Sequence, residues 1–525
     1  MCGIFSYKGK NKSIDDLLNS IDLISYRGPD NSKYQNIDKD IFFAFHRLSI
    51  IGISESGNQP LKLKDDDSLS LICNGEIYNY KNLANKYNFK LTTGSDCEII
   101  LHMFKKFGIK KTVSALDGVF MFALYDSNSK ILYSARDPYG VRPGFIGFDN
   151  EEVYISSEAK SLVINCNEVI PFNPGSYWSS NTNKFTRYHK VNSVDVNVDS
   201  MYDSVNCLLK DAVDKRLMSD RKIGCLLSGG LDSSLIAALV AKEVGDNLDT
   251  FSIGMPGSID LYYADKVAGF ISSKHHHVEI LEKDFLQSIE EVIYKIESFD
   301  ITTVRASVGN YLVSKYISEN TDCKVIFNGD GSDEVCCGYF YLRNAPNAAS
   351  LQNESKRLID EIYLFDVLRS DRSISSNGLE PRTPFLDKKF VEYYYSIPPE
   401  LKMFNGKNKI EKYILRKAFE KDQILPDDIL WRNKCAFSDG VSNKKKSWHH
   451  VISSYFDEIV SDSEFRKETL KYKHCPPISK ESYYYRKVFE EFFGQNSSLI
   501  PHFWMPKWSN VQDPSARELD SYEED

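Results

Sequence analysis

Nowhere among the 525 residues does an apolar run approach the roughly 20 residues that a bilayer-spanning helix requires. The N-terminus lacks the basic, then apolar, then small-residue order of a secretory signal peptide, which argues against export. None of the 11 cysteines falls in a C-x-x-C pair, so a structural zinc site is not expected. Without an export signal these cysteines read as reduced cytosolic thiols rather than a disulfide framework, and the adjacent Cys336 and Cys337 as packing residues. Positive charge is not in excess either. Sixty-five Lys and Arg against 74 Asp and Glu leave a net charge of -9, which weighs against a nucleic-acid partner. Internal repeats and low-complexity tracts are missing. What remains, with 42% apolar and 26% charged residues, is the profile of a globular protein of the cytoplasm, and the chain is too long for one core.

Two patterns divide the chain. Up to about residue 190, short β-branched or aromatic runs such as "IFFAFHRLSII", "SLSLICN", "VFMFALYD", "KILYSAR" and "EEVYISS" read as strands. Helical spacing interrupts them at Ile14, Leu17, Leu18, Ile21 and Ile24, and again at Ile99, Met103 and Phe107. The expectation is a layered α+β domain with antiparallel sheets over 1–190. Residues 191–200, "VNSVDVNVDS", are polar and read as a linker. From 201 strands and helices alternate through "KIGCLL", "SLIAALVAKEV", "TFSIGM", "HHVEI" and "KVIFN", which argues for an α/β, doubly wound, mostly parallel sheet. Beyond about 350 the pattern is mainly helical. The domain set over 201–515 is followed by an acidic tail, 516–525, expected to fray.

Two loops carry the chemistry of the second half. "LLSGGLDSS" (226–234) joins a buried strand to a helix, and a Gly-rich turn at a helix N-terminus offers backbone N–H groups to an anion. It has no Walker lysine, so γ-phosphoryl transfer is not favoured, while Asp232 among Ser228, Ser233 and Ser234 suits a Mg²⁺ bridging phosphates. "FNGDGSDE" (327–334) places Asp330, Asp333 and Glu334 after a second strand. Either loop alone reads as an ordinary turn; two at one sheet edge point to a metal–nucleotide site. The run His275–His277 cannot all serve one ion from a strand, because successive side chains point to opposite faces, and it reads as structural.

The "SGGLDSS" loop resembles that of ATP-pyrophosphatases, which release AMP and pyrophosphate. "MCGIF", "RGPD" (27–30), "HRLSI" (46–50), "NGEIYN" (74–79) and "GSDCE" (94–98) resemble the class II glutamine amidotransferase domain. Together and in this order they resemble the glutamine-hydrolysing asparagine synthetases, over nearly the whole chain. The resemblance implies an Ntn-hydrolase-like first domain and a synthetase second domain that converts L-aspartate, L-glutamine and ATP, with Mg²⁺, through a β-aspartyl-AMP intermediate. It implies that Cys2, exposed by removal of Met1, is the nucleophile and forms a thioester, its own α-amino group serving as base. Arg47, Leu48, Glu76 and Asp96 match glutamine-binding positions, and the Asn74 side chain with the Gly75 N–H matches the oxyanion hole. Leu226, Ser228, Gly229, Gly230, Asp232, Ser233, Ile253, Asn328 and Gly329 match the ATP site. Thr302, Thr303 and Arg305 match positions for aspartate or pyrophosphate, Lys434 a catalytic lysine, and Asp232 with Asp333 the metal ligands. The family passes ammonia between its sites through a channel, and a homodimer is also in keeping with it.

The pattern departs from the family at "NGDGSDE", where members usually carry "SGEGSDE" although other branches have Asp at the position of Asp330. Asn328 stands for Ser, and Asp330, one methylene shorter, for a Glu implicated in forming the adenylate. Activity is expected to survive. Two alternatives stand beside this reading: another ATP-dependent amide former akin to β-lactam synthetase, against which Cys2 counts, and a non-catalytic relative, against which the intact Cys2, Arg47, Asp96, Asp232 and Lys434 count.

Overall fold

A computed structural model describes residues 1–405, 410–434, 440–442, 447–510 and 513–514. The expected acidic tail at 516–525 lies outside the described residues, as do 435–439 just after Lys434. The chain packs as two units. The first comprises Met1–Lys190, Met218–Lys222 and Ser375–Glu380; the second comprises Val191–Leu217, Ile223–Ile374 and Pro381–Asp525.

The first unit holds two six-stranded sheets, and every strand pairing given for them is antiparallel. Their stacking follows from alternation along single strands. In the strand Gly118–Asp126, Met121, Ala123 and Tyr125 join the core formed with Ile4, Phe43 and Phe45 of the facing sheet. Phe120, Phe122 and Leu124 point the other way, against Ile99, Ile100 and Met103 of the helix Glu98–Ala115. A strand buried on both faces reads as a continuous apolar run, which is why "VFMFALYD" lacks polar alternation. The expected strands are present as Ile41–Arg47, Asp66–Ile77, Gly118–Asp126, Ile131–Arg136 and Glu152–Ser156. The two expected helices are present as Ile14–Asp22 and Glu98–Ala115, the second broken in direction at Gly108, whose φ is +73°.

The second unit is built on a five-stranded sheet. Counted in chain order its strands are Lys222–Leu226, Asp249–Gly254, Lys274–Glu279, Cys323–Phe327 and Glu380–Arg382, and their spatial order is third, second, first, fourth, fifth. The first three pair in parallel. Strand order therefore reverses between Lys222–Leu226 and Cys323–Phe327, and a crevice opens at the carboxyl ends of strands flanking such a reversal. Both loops singled out in the sequence leave those two strands. Helices dominate beyond residue 350, as expected. The helix Met201–Asp214 opens the unit with Val205, Leu209, Ala212 and Val213 buried, while its Cys207 is exposed. No helix among the described residues is long and apolar enough to cross a membrane.

Candidate functional site

The first cluster lies in the first unit and is set by strand register. Ile72 of the strand Asp66–Ile77 faces the sheet that contains Ile4, so Asn74, two residues on, shares that face. Asn74 Oδ1 accepts the backbone N–H of Cys2 at 3.1 Å. Its other amide atom, Nδ2, is a buried donor with no hydrogen-bond partner. Gly75 follows, and a Cβ there would lie 2.2 Å from the Val119 carbonyl oxygen, so only glycine lets the neighbouring strand approach this closely. The Cys2 thiol is directed at the Leu48 carbonyl oxygen, 3.6 Å away, and the Cys2 carbonyl accepts from Arg27 Nε at 3.0 Å.

Met1 is buried, and its amino group donates to the Leu379 carbonyl at 3.1 Å. Burial lowers that amine to about 5. Burial also pushes the Cys2 thiol up to about 11, against the pull of the adjacent N-terminal charge. With Met1 attached the thiol is therefore protonated at neutral pH. Arg47 uses Nη1 on the Ser54 carbonyl and Asn58 Oδ1, both at 2.8 Å, and Nη2 on the Gly52 carbonyl, and thereby pins the 52–58 loop. Asp96 accepts the Ile77 N–H at 2.5 Å, and Asp96 and Glu76 are both buried.

The second cluster lines a cavity of about 270 Å³ in the second unit. Leu226, Ser228, Gly230, Asp232, Ser233, Ile253, Asn328 and Gly329 face it, together with Thr302, Arg305, Asp330, Asp333 and Lys434. The Gly/Ser loop is tied internally: Ser233 Oγ stands 3.0 Å from Ser228 Oγ and accepts the Ser228 N–H at 3.2 Å. Gly229 does not line the cavity. Its φ is +72°, and a Cβ there would lie 2.5 Å from Ala264 N, so it allows the turn rather than contacting a ligand. Ser234 is fully buried and also turned away from the cavity.

The two loops meet through their carboxylates. Lys412 Nζ lies 2.6 Å from Asp232 Oδ2 and 2.5 Å from Asp333 Oδ1, and Lys434 pairs with Asp333 Oδ2. Asp232 Oδ1 accepts from Ser332 Oγ at 2.7 Å. Burial works against the charge on Asp333, but the two ammonium groups outweigh it and hold the carboxyl well below the usual range. Asp330 points elsewhere. Its Oδ1 accepts from Arg369 Nη2 at 2.9 Å, its Oδ2 makes no hydrogen bond, and burial pushes its carboxyl up.

The three positions on the helix Ile301–Asn320 divide. Thr302 Oγ1 is buried and unpartnered beside the cavity. Thr303 is committed to the helix cap, its N–H and hydroxyl both donating to Asp300 Oδ2 at 2.9 and 2.7 Å. Arg305 is held by Glu481 and by Asp513, each through both carboxylate oxygens. The three histidines do not converge on one point: His275 stands between Thr250 and Ser252, His276 pairs with Asp249, and His277 with Asp265, which His275 also approaches at 3.5 Å. Among the described residues no group of three His, Cys, Asp or Glu side chains could hold a metal.

Several cavity residues escaped the sequence reading, Lys412, Arg369 and Arg432 among them. Lys412 and Arg369 are described above; Arg432 lies 3.8 Å over the Tyr263 ring and donates to the Gly229 carbonyl at 3.0 Å. Lys412 and Arg369 come from the helical region after 350, where a single Lys or Arg carries no local signal, while Arg432 stands just before Lys434.

Comparison with known proteins covers both clusters. The family model described as "Glutamine amidotransferase domain" matches residues 1–216, and that described as "Asparagine synthase" matches residues 204–357 and 343–516. The chain is 44% identical to a Gallus gallus protein described as asparagine synthetase (glutamine-hydrolyzing), with 99% of each chain covered. The proteins of the same description from Rattus norvegicus and Homo sapiens are each 42% identical over 99% of both chains. With likeness of that order running from end to end, the chain belongs to the family of glutamine-hydrolysing asparagine synthetases.

Proposed function

We propose that this chain makes L-asparagine from L-aspartate, with L-glutamine as nitrogen donor and ATP converted to AMP and pyrophosphate. Residues 1–190 form the glutaminase domain and 201–515 the synthetase domain, with 191–200 as linker. One observation carries the reading: beside a thiol, Asn74 fixes the Cys2 backbone with one amide atom and leaves the other, a buried donor, without a partner. An unpartnered buried donor is costly unless a ligand completes it.

Removal of Met1 makes the amine that of Cys2. It takes the thiol proton, and the thiolate attacks the glutamine side-chain carbonyl. Asn74 Nδ2 and the Gly75 N–H receive the developing oxyanion. Collapse with protonation of the nitrogen releases ammonia and leaves a thioester, which water converts to glutamate and free thiol. Arg47 and Asp96 bind the α-carboxylate and α-ammonium of glutamine, with Leu48 and Glu76 beside them.

In the synthetase domain the aspartate β-carboxylate attacks the α-phosphorus of ATP, and pyrophosphate leaves. Ammonia then attacks the acyl carbon of the β-aspartyl-AMP, and AMP departs. Leu226, Ser228, Gly230, Ser233, Ile253, Asn328 and Gly329 hold the nucleotide, with Gly229 shaping the loop. Thr302 contacts aspartate or pyrophosphate, with Thr303 and Arg305 framing it. Lys434 offers its charge to the phosphates, and Asp330 acts where aspartate is activated.

Asp232 Oδ2 and Asp333 Oδ1 converge on a single point, that of Lys412 Nζ, and two carboxylate oxygens with phosphate oxygens are a donor set that suits Mg²⁺. Bound there, Mg²⁺ supplies charge neutralisation for the leaving pyrophosphate. A location in the cytoplasm agrees with the ten described cysteines, all free thiols. Assembly as a homodimer, with no nucleic-acid or membrane partner, completes the reading. The test is amide-labelled glutamine: label is expected in asparagine. Cys2→Ala is expected to abolish that transfer while ammonium still supports synthesis; transfer by the variant overturns the assignment of the nucleophile.

A further inference from the structure

Lys412 stands where the reading above calls for a divalent cation. Its side chain is 3% exposed, and its ammonium touches one carboxylate from each loop. The residue adopts φ +55° as the N-cap of the helix Tyr413–Glu420, a left-handed conformation uncommon outside glycine. Space for it is cut out of the opposite wall: a Cβ on Gly338 would lie 1.9 Å from Lys412 Cε and 2.2 Å from Asp333 Oδ1. A backbone in that conformation and a missing side chain opposite serve to deliver one ammonium to one point.

We propose that Lys412 is a positioning residue and an internal stand-in for the metal. It keeps Asp232 and Asp333 converged in the absence of nucleotide, and it must give up its place between them when the metal arrives. The inference rests on the nucleotide-site reading above. Charge decides the order of loading. Asp232 and Asp333 are balanced by Lys412 and Lys434, so these four groups together are neutral. A bare divalent ion would add two uncompensated positive charges to an enclosed crevice and displace an ammonium already paired. Accompanied by phosphates, the ion brings the negative charge that the displaced Lys412 ammonium can then pair with. Metal is therefore admitted with nucleotide and resisted alone.

The probe is Mn²⁺ without nucleotide, its binding to the full chain followed by electron paramagnetic resonance. Lys412→Met is expected to bind Mn²⁺ at least ten-fold more tightly than the unaltered protein. Lys434→Met, which removes a partner of Asp333 alone, is expected to gain clearly less. Should Lys412→Met lose its fold by circular dichroism, Lys412→Gln, whose amide still donates to a carboxylate, is expected to show the same gain. Unchanged Mn²⁺ affinity in the folded Lys412 variant, or an equal gain in Lys434→Met, overturns the proposal. Asp232→Asn separates the two levels. If it leaves Mn²⁺–ATP binding intact, the nucleotide-site reading itself fails; if it weakens that binding while the Lys412 variants change nothing, only the present inference fails.

Discussion

Asn74 has a divided amide, with the acceptor end holding the chain start and the donor end empty. Replacing it by Ala is expected to lower the rate of glutamine hydrolysis roughly 10²- to 10³-fold, the usual cost of an oxyanion donor. Ammonium-dependent synthesis should persist, and parallel assays with the two nitrogen sources check both. Residues of this kind were legible in the sequence because they sit in short motifs, Asn74 in "NGEIYN" and Asp232 in "SGGLDSS". Lys412 was not, since its partner Asp232 lies 180 residues away. Arg369 is 39 residues from Asp330 and sits in a helix with no motif around it. A contact made only by folding leaves no local trace.

Elements were legible wherever apolar residues concentrate. The strand Gly118–Asp126 and the helix Leu231–Val244 both declare themselves through apolar residues. The strand Asn31–Asp38, "NSKYQNID", does not, because half of its residues face solvent and none is deeply buried. Nor does the edge strand Glu380–Arg382, three residues long with a proline at its centre, which the sheet tolerates only at its margin. The helix Glu98–Ala115 shows an element serving a site. Its first residue, Glu98, accepts the N–H groups of Thr92 and Thr93, at 2.8 and 2.7 Å, and His102 stands 3.2 Å away. This clamp fixes the loop that carries Asp96. Burial opposes the charge, but these hydrogen bonds prevail and set the carboxyl at about 2, below its usual 4.5. A depressed carboxyl stabilises the fold above its unfolded value and loses that contribution as pH falls. Glu98→Gln is therefore expected to cost about 1.5–3 kcal/mol at pH 7. Its disadvantage should vanish between about 4.5 and 2. Urea unfolding across that range is the check, and a raised KM for glutamine is the functional sign.

At the scale of the molecule the two candidate clusters lie in different units. Cys2, Arg47, Asn74 and Asp96 belong to the first, and every residue lining the cavity belongs to the second. Asp232→Asn is accordingly expected to abolish aspartate-dependent pyrophosphate release while glutamine hydrolysis continues; loss of both activities together would contradict that allotment. The order of the two patterns along the chain was plain from composition and motif. What the sequence withheld is that short segments return: Met218–Lys222 and Ser375–Glu380 group with the first unit although each is flanked on both sides by segments of the second. Neither has a hydrophobic period of its own to announce this.

Cys207, on the solvent side of the helix Met201–Asp214, is the one thiol among the described residues that is fully exposed; six of the others are buried and three half-buried. Among the described thiols, a maleimide dye added to the native chain should therefore attach to Cys207 ahead of the six buried ones. The protein carries a labelling point of its own on the second unit, and a fluorophore placed on it marks that unit without any engineered cysteine.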